Sequence, residues 1–212
     1  MSKVFYIVFV LLLSACGGGF NPDLDQPTQK DDSADKPQPP KIIKQFSGQK
    51  VELLNSNNLV FENQMVQGTG LFKFTDSFER PEMGFNFNLD FELDANSEVR
   101  LISFADENLN NGVELIFTPK GDKLKITFQS TETKQNLTPF FRAVVSAKAA
   151  KLSIDIHNDH SSLPHIIIWD ENTHKEVFDS SLAGRGFGKY WGLELVEAKV
   201  NFANVSEPKD DH

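Results

Sequence analysis

Cysteine is the scarcest residue that matters here. The 212-residue chain has one, Cys16, so an intramolecular disulfide is excluded. Methionine (3), tryptophan (2) and tyrosine (2) are nearly as rare. Basic residues are outnumbered, 21 against 30 acidic ones, for a formal net charge of −9. A surface of that sign is repelled by phosphate backbones and by anionic head groups, so nucleic acid is not an expected partner. Long apolar runs are missing too. The longest, Val4–Leu13, is far short of the roughly 20 residues that a membrane-spanning helix needs. Helical periodicity is almost absent, and its one candidate is a turn or two over 139–151. No repeat at solenoid or propeller spacing is present.

What the chain does contain starts at its first residues. Lys3 gives a positive start, Val4–Leu13 an apolar core, and Ser14 and Ala15 small residues before Cys16. Leu13-Ser14-Ala15-Cys16 resembles the lipobox of bacterial lipoprotein precursors at all four positions. The resemblance implies cleavage before Cys16, a diacylglycerol thioether on its sulfur and acylation (palmitate, for example) of the new amino group. It also supplies a role for a lone thiol. Several acyl chains anchor a protein stably where one does not. Gly17 after the cysteine implies the outer membrane under the sorting rule of enterobacteria-like cells. The expected organisation is a signal peptide over 1–15, then the lipidated cysteine and a tether over 16–40. A β-sandwich domain follows over 41–206, and a flexible tail over 207–212. The tether is expected to be disordered, being rich in Gly, Pro, Asp and Gln with few large apolar residues.

Period-two alternation dominates the region after residue 41. Phe85, Phe87, Leu89, Phe91 and Leu93 alternate with Asn86, Asn88, Asp90 and Glu92. Leu71 to Phe74 reads similarly, as do Val113/Leu115/Phe117 and Leu124/Ile126/Phe128, joined by a Pro- and Gly-punctuated hairpin over 118–123. Leu152, Ile154 and Ile156 form another strand, and Ile166–Trp169 a shorter, more buried run. In the last strand Trp191, Leu193 and Leu195 hold one phase and Val200 and Phe202 the other, which a bulge near Glu197 reconciles. The 19 phenylalanines suit the interior of two packed sheets. The fold class is therefore all-β, a two-sheet antiparallel sandwich or jelly roll.

Three stretches (84–128, 151–172 and 188–207) resemble the concanavalin A-like lectin/glucanase superfamily, including laminin G-like modules. The resemblance runs from Val60 to Glu207. It implies a jelly roll of two curved antiparallel sheets, with carbohydrate or protein bound on one face or on the rim loops.

No catalytic set assembles. Glu92-Leu93-Asp94 opens the Glu-x-Asp-x-x-Glu pattern of this superfamily's glycosidases, but Ser97 stands at its third acidic place. Glu98 comes one residue late, which puts its carboxylate on the opposite face of a strand. His157-Asn158-Asp159-His160, with His165 or Asp170, is a polar cluster too sparse to specify zinc. No cofactor is expected; a bound Ca2+ would prefer Asp106-Glu107-Asn108 or Asp170-Glu171-Asn172, though such loops usually serve as turns. Tyr190 and Trp191 follow a Gly-rich stretch containing Arg185 and offer a stacking platform for a sugar. Trp169, closing an isoleucine run, reads as core; for Trp191 the two roles are evenly matched. The candidate sites are therefore Cys16 for lipid and Trp191, Tyr190, Arg185, His157 and Asp159 for a ligand. No catalytic or metal residues are assigned. The expected function is a lipid-anchored envelope protein whose sandwich binds a glycan or a protein without catalysis. A diverged glycoside hydrolase or lyase of the same fold and a structural envelope-assembly protein are the alternatives.

Overall fold

A computed structural model describes residues 41–56, 58–76, 85–137, 144–158, 164–181 and 188–206. All of them lie in the unit Pro40–His212. They form twelve strands and no helix: β1 (Ile42–Phe46), β2 (Gln49–Ser56), β3 (Val60–Glu62), β4 (Met65–Phe74), β5 (Phe85–Glu92), β6 (Glu98–Ala105), β7 (Val113–Lys120), β8 (Lys123–Ser130), β9 (Ala150–Asn158), β10 (Pro164–Asp170), β11 (Lys175–Ser181) and β12 (Tyr190–Ser206). Every pairing between them is antiparallel. The helical turns expected over 139–151 are absent from their described part. Residues 144–149 are irregular and Ala150 and Lys151 belong to β9, while 139–143 lie outside the described residues. Lys123 bridges to Ser146, so this stretch takes up sheet hydrogen bonds instead of helical ones.

The long strand β12 organises everything else. One of its edges lies along β4 from Gly192 to Asn201. Its other edge changes partner: Tyr190–Val196 pair with β6, and Lys199–Ser206 with β5. The first half thus joins a sheet ordered β1-β2-β4-β12-β6-β7-β8, and the second half a sheet that runs on through β5, β9, β10 and β11. The changeover is the bulge foreseen near Glu197. The register with β4 slips between Leu195 and Ala198, and Glu197 has a positive φ of 47°. Trp191, Leu193 and Leu195 before it, and Ala198, Val200 and Phe202 after it, are all buried, so the extra residues keep both phases pointing inward. The bulge is pinned on both sides: Ser97 Oγ donates to the Glu197 carbonyl at 2.7 Å, and the Glu197 amide donates to Thr69 Oγ1 at 3.0 Å.

The two sheets face each other across a phenylalanine-rich core. Phe91 on β5 lies 5.5 Å from Phe117 on β7, and Phe128 on β8 lies 5.3 Å, edge-on, from Phe178 on β11. Trp191 stacks between Phe74 at 3.9 Å and Phe87 at 5.1 Å. The hairpin between β7 and β8 closes with the two residues Gly121 and Asp122. Gly121 takes the positive φ (68°) that a tight turn requires at its first position.

Candidate functional site

The residues alternating with this core fall on two outward faces of different character. On the β6–β7 side the polar groups are tied to one another. Arg100 contacts Glu98, Glu194 (3.3 Å) and Glu114 (4.0 Å), and the buried Glu114 also accepts from Lys134 at 2.8 Å and Gln129 at 2.6 Å. Burial works to lower the Arg100 pKa. The hydrogen bond to Glu98 and the charges of Glu194, Glu98 and Glu114 outweigh it and hold the guanidinium above its ordinary value.

Beside this network Lys73 is buried. Its ammonium lies 3.3 Å from Glu52, donates to the Glu107 carbonyl at 2.8 Å and sits 5.0 Å over the Tyr190 ring. Lys41 bridges Glu107 (3.1 Å) and Glu52 (3.4 Å) from outside. The hydrogen bond to Glu107, then the charges of Glu52 and Glu107, raise the Lys41 pKa, while the hydrogen bond from Lys41 and the charges of Lys41 and Lys73 lower that of Glu107.

These contacts correct part of the sequence reading. Tyr190 packs against Ile102, Ala105 and Leu109 with its ring face turned to Lys73, so it stabilises a sheet surface. Trp191, next along the strand, points to the other side and is fully buried, out of reach of any ligand. The two aromatics cannot make one platform. The reading of Trp169 as core is reversed as well. In β10, Ile166, Ile168 and Asp170 are buried, while His165, Ile167 and Trp169 lie outward and keep part of their surface. The outward Ile167 fills the polar phase of the strand and makes it read as a wholly buried run. The retrievable signal was that His165 and Trp169 share a phase.

A second bulge lies across from Trp169, on β11. Ile168 pairs with Phe178 but Trp169 pairs with Glu176, so Val177 is the extra residue, and both Val177 and Phe178 turn inward. Across β9 and β5 the same row continues through Ser153 and Asn88. One row on, Asp155 lies opposite Ile167 and Asn86, with Asp179 on the far side of Ile167. One row further, His165 faces His157. Trp169 and His165 are thus roughly 13 Å apart along β10, at about 3.3 Å per residue.

The two histidines are held in a continuous chain. Asp155 Oδ1 lies 3.1 Å from His157 Nδ1, His157 Nε2 lies 3.2 Å from His165 Nδ1, and His165 Nε2 lies 2.7 Å from Asp179 Oδ1. Carboxylates at both ends fix the ring orientations. Among the described residues no group of three or more His, Cys, Asp or Glu is arranged to hold a metal ion. The two loops weighed for Ca2+ use their carboxylates on their own turns. Asp106 accepts from the amides of Asn108 and Asn110 and from Asn111 Nδ2, and Asp170 from the amide of Asn172 and from Thr173 Oγ1. Cys16, Asp159 and Arg185 lie outside the described residues. The glycosidase-like pattern does not assemble. Glu92 ends β5 opposite Lys199, the Asp94 carbonyl closes a turn with the Ser97 amide, and Glu98 lies on β6 in the other sheet.

No family model matches the sequence, and no curated protein matches it. Among solved structures the chain is similar to the carbohydrate-binding module CBM66 from Bacillus subtilis, with a TM-score of 0.51 and 15% identity over 75% of this chain and 95% of the module. Weaker likenesses are to the exoplasmic/lumenal domain of VIP36 in its Ca2+/Man-bound form (TM-score 0.48, 8% identity, 73% of this chain and 82% of that one) and to a legume lectin-like domain from Entamoeba histolytica (TM-score 0.47, 10% identity, 75% and 89%). The first supports the jelly-roll fold alone.

Proposed function

We propose that this chain is a lipid-anchored envelope protein whose sandwich binds a glycan on the outward face of β5, β9, β10 and β11, with Trp169 as the stacking residue. The observation that carries the reading is Trp169 itself. A large aromatic left partly exposed on a sheet face, turned outward by the alternation of β10 and set in a row with Ser153 and Asn88, matches what a sugar needs. A pyranose offers an apolar C–H face to an aromatic ring and hydroxyls to flanking amides and carboxylates. The likeness to a carbohydrate-binding module agrees with this, although fold alone does not assign function. Binding without catalysis is favoured over a diverged hydrolase or lyase, because Glu92 and Glu98 stand on different sheets.

Glycan-array binding by the full chain tests the platform. Trp169→Ala is expected to weaken binding by about tenfold or more, the equivalent of ~1.4 kcal/mol, while lowering thermal stability far less than loss of the fully buried Trp191 does. Full retention of binding would remove Trp169 from the site.

Attachment to the membrane rests on the resemblance at residues 13–16. Cys16→Ser is expected to leave a folded chain that takes up no labelled fatty acid and fractionates with soluble protein. If that variant still sediments with membranes after a salt wash, the anchor lies elsewhere.

A further inference from the structure

Positive charge is concentrated at one edge of the other sheet, around β8. Residues 118–151 hold seven basic side chains and two acidic ones, Asp122 and Glu132, in a chain whose net charge is −9. Register brings three of the lysines together. Lys120 ends β7 directly opposite Lys123, and Lys125 follows Lys123 on the same face of β8. The first pair is thus about 5 Å apart at Cβ, and the second roughly 7 Å apart along the strand. All three are exposed. Like charges set opposite one another destabilise a hairpin, and an anion placed among them removes that cost.

These lysines line a cleft of about 500 Å3, a size that suits a small ligand. Side chains of both phases of β8 contribute to it, so it runs along the outer edge of that strand. Leu124, Ile126, Phe128 and Val145 give it an apolar wall, joined by Val144, which is 67% exposed. Among the described residues its uncharged polar side chains are Thr127 and Asn136. The edge of β8 is held at both ends of this stretch. The Leu137 amide donates to the Phe128 carbonyl at 2.9 Å, and the Leu124 amide to the Val145 carbonyl at 2.8 Å. These contacts lie roughly 13 Å apart along β8, so an extended chain added to this edge would have to displace both. The residues that join them, 138–143, lie outside the described residues and include no acid.

From this arrangement we infer that the β8 cleft binds a small amphiphilic anion: an aliphatic or aromatic body against the apolar wall, with its carboxylate or phosphate held by Lys120, Lys123 and Lys125. Lysine stems lie readily along apolar surface while their ammonium groups reach an anion. An uncharged sugar is a poorer match, because its hydroxyls would be set against Leu124, Ile126 and Phe128. The site is separate from the Trp169 face and does not depend on it.

Isothermal titration of the full chain with phenylbutyrate and with phenyl phosphate tests the site, with phenylbutanol, phenylbutylamine and a uronate oligomer as comparisons. One anion per chain is expected, at least tenfold tighter than the neutral or cationic compound and weakened by salt. The tighter of the two anions identifies the head group. Lys123→Gln/Lys125→Gln is expected to weaken anion binding tenfold or more, with thermal unfolding unchanged or slightly raised, since like charges are removed. Val144→Asp, at an exposed position, should weaken it similarly. Neutral or cationic compounds binding as tightly as the anions would reduce the cleft to an apolar patch and overturn the assignment. Absence of saturable binding, or binding untouched by either variant, would overturn it as well. A uronate oligomer that binds more tightly than phenylbutyrate and is lost in the double variant would reassign the lysines to an acidic glycan.

Discussion

Replacing Trp191 with alanine is expected to be among the most damaging single changes to the domain, costing about 3–5 kcal/mol. Its ring is fully buried and stacked between Phe74 and Phe87, with Phe202 at 5.9 Å. Removing it leaves a void bounded by rings from β4, β5 and the far half of β12. Those strands belong to a shared sheet junction and cannot collapse inward independently. The loss in unfolding midpoint should be about 10 °C or more, at roughly 2–4 °C per kcal/mol for a domain of this size. Urea unfolding followed by fluorescence or circular dichroism would show a lowered midpoint with little change in slope. Trp169→Ala is the internal control, since the two tryptophans lie on opposite sides of a sheet. If both variants lost similar stability, the inward and outward assignments of the two rings would be wrong.

Gly68→Ala should be comparably severe for a different reason. Gly68 sits in β4 opposite Ala198, at the point where β12 bulges. Its φ is +116°, and a methyl built on it would lie 2.1 Å from the carbonyl oxygen of Asn58. That oxygen belongs to a backbone segment held in place, since the Asn58 amide donates to the Thr69 carbonyl at 3.1 Å. Neither side can yield without breaking the approach of residues 58–59 to the bend. Backbone strain of roughly 1–3 kcal/mol adds to an overpacking cost of similar size. Gly121→Ala isolates the first cost from the second, because Gly121 also has positive φ (+68°) but nothing within 4 Å of the added methyl. It should lose only about 1 kcal/mol. Thermal unfolding of the two variants side by side decides the matter, and an equal loss would mean that the close contact at Asn58 is not a constraint.

The comparison of sequence with structure turns on which signals are local. The alternation of Phe87, Leu89 and Phe91 with Asn86, Asn88 and Asp90 appears as a strand with one buried and one polar face. The phase change in the last strand was readable as a bulge because a strand cannot bury both phases without one. The Gly121–Asp122 turn was equally local. Partnership was not. Nothing in the pattern of residues 190–206 says that one edge meets β4 throughout while the other meets β6 and then β5. Lys73, between Phe72 and Phe74, gives no sign that its ammonium is buried under Tyr190, because Glu52 and Glu107 come from distant parts of the chain. The outward tryptophan, Trp169, was misplaced for a related reason. Burial of Ile166 and Ile168 was legible, but the outward Ile167 disguised the phase, and only pairing with Asp155 and Asp179 makes it plain.

The double membership of β12 also sets the order in which this domain can be completed. It is the last of the described strands, and its partner β4 lies more than a hundred residues upstream. Until Tyr190–Ser206 have emerged during synthesis, β6 and β5 each lack a neighbour and the two sheets have no common edge. The nascent chain therefore holds unpaired, phenylalanine-rich strands until β12 is available. Closing so long a loop makes folding slow and late, and a chain lacking β12 would lose the seam between both sheets at once.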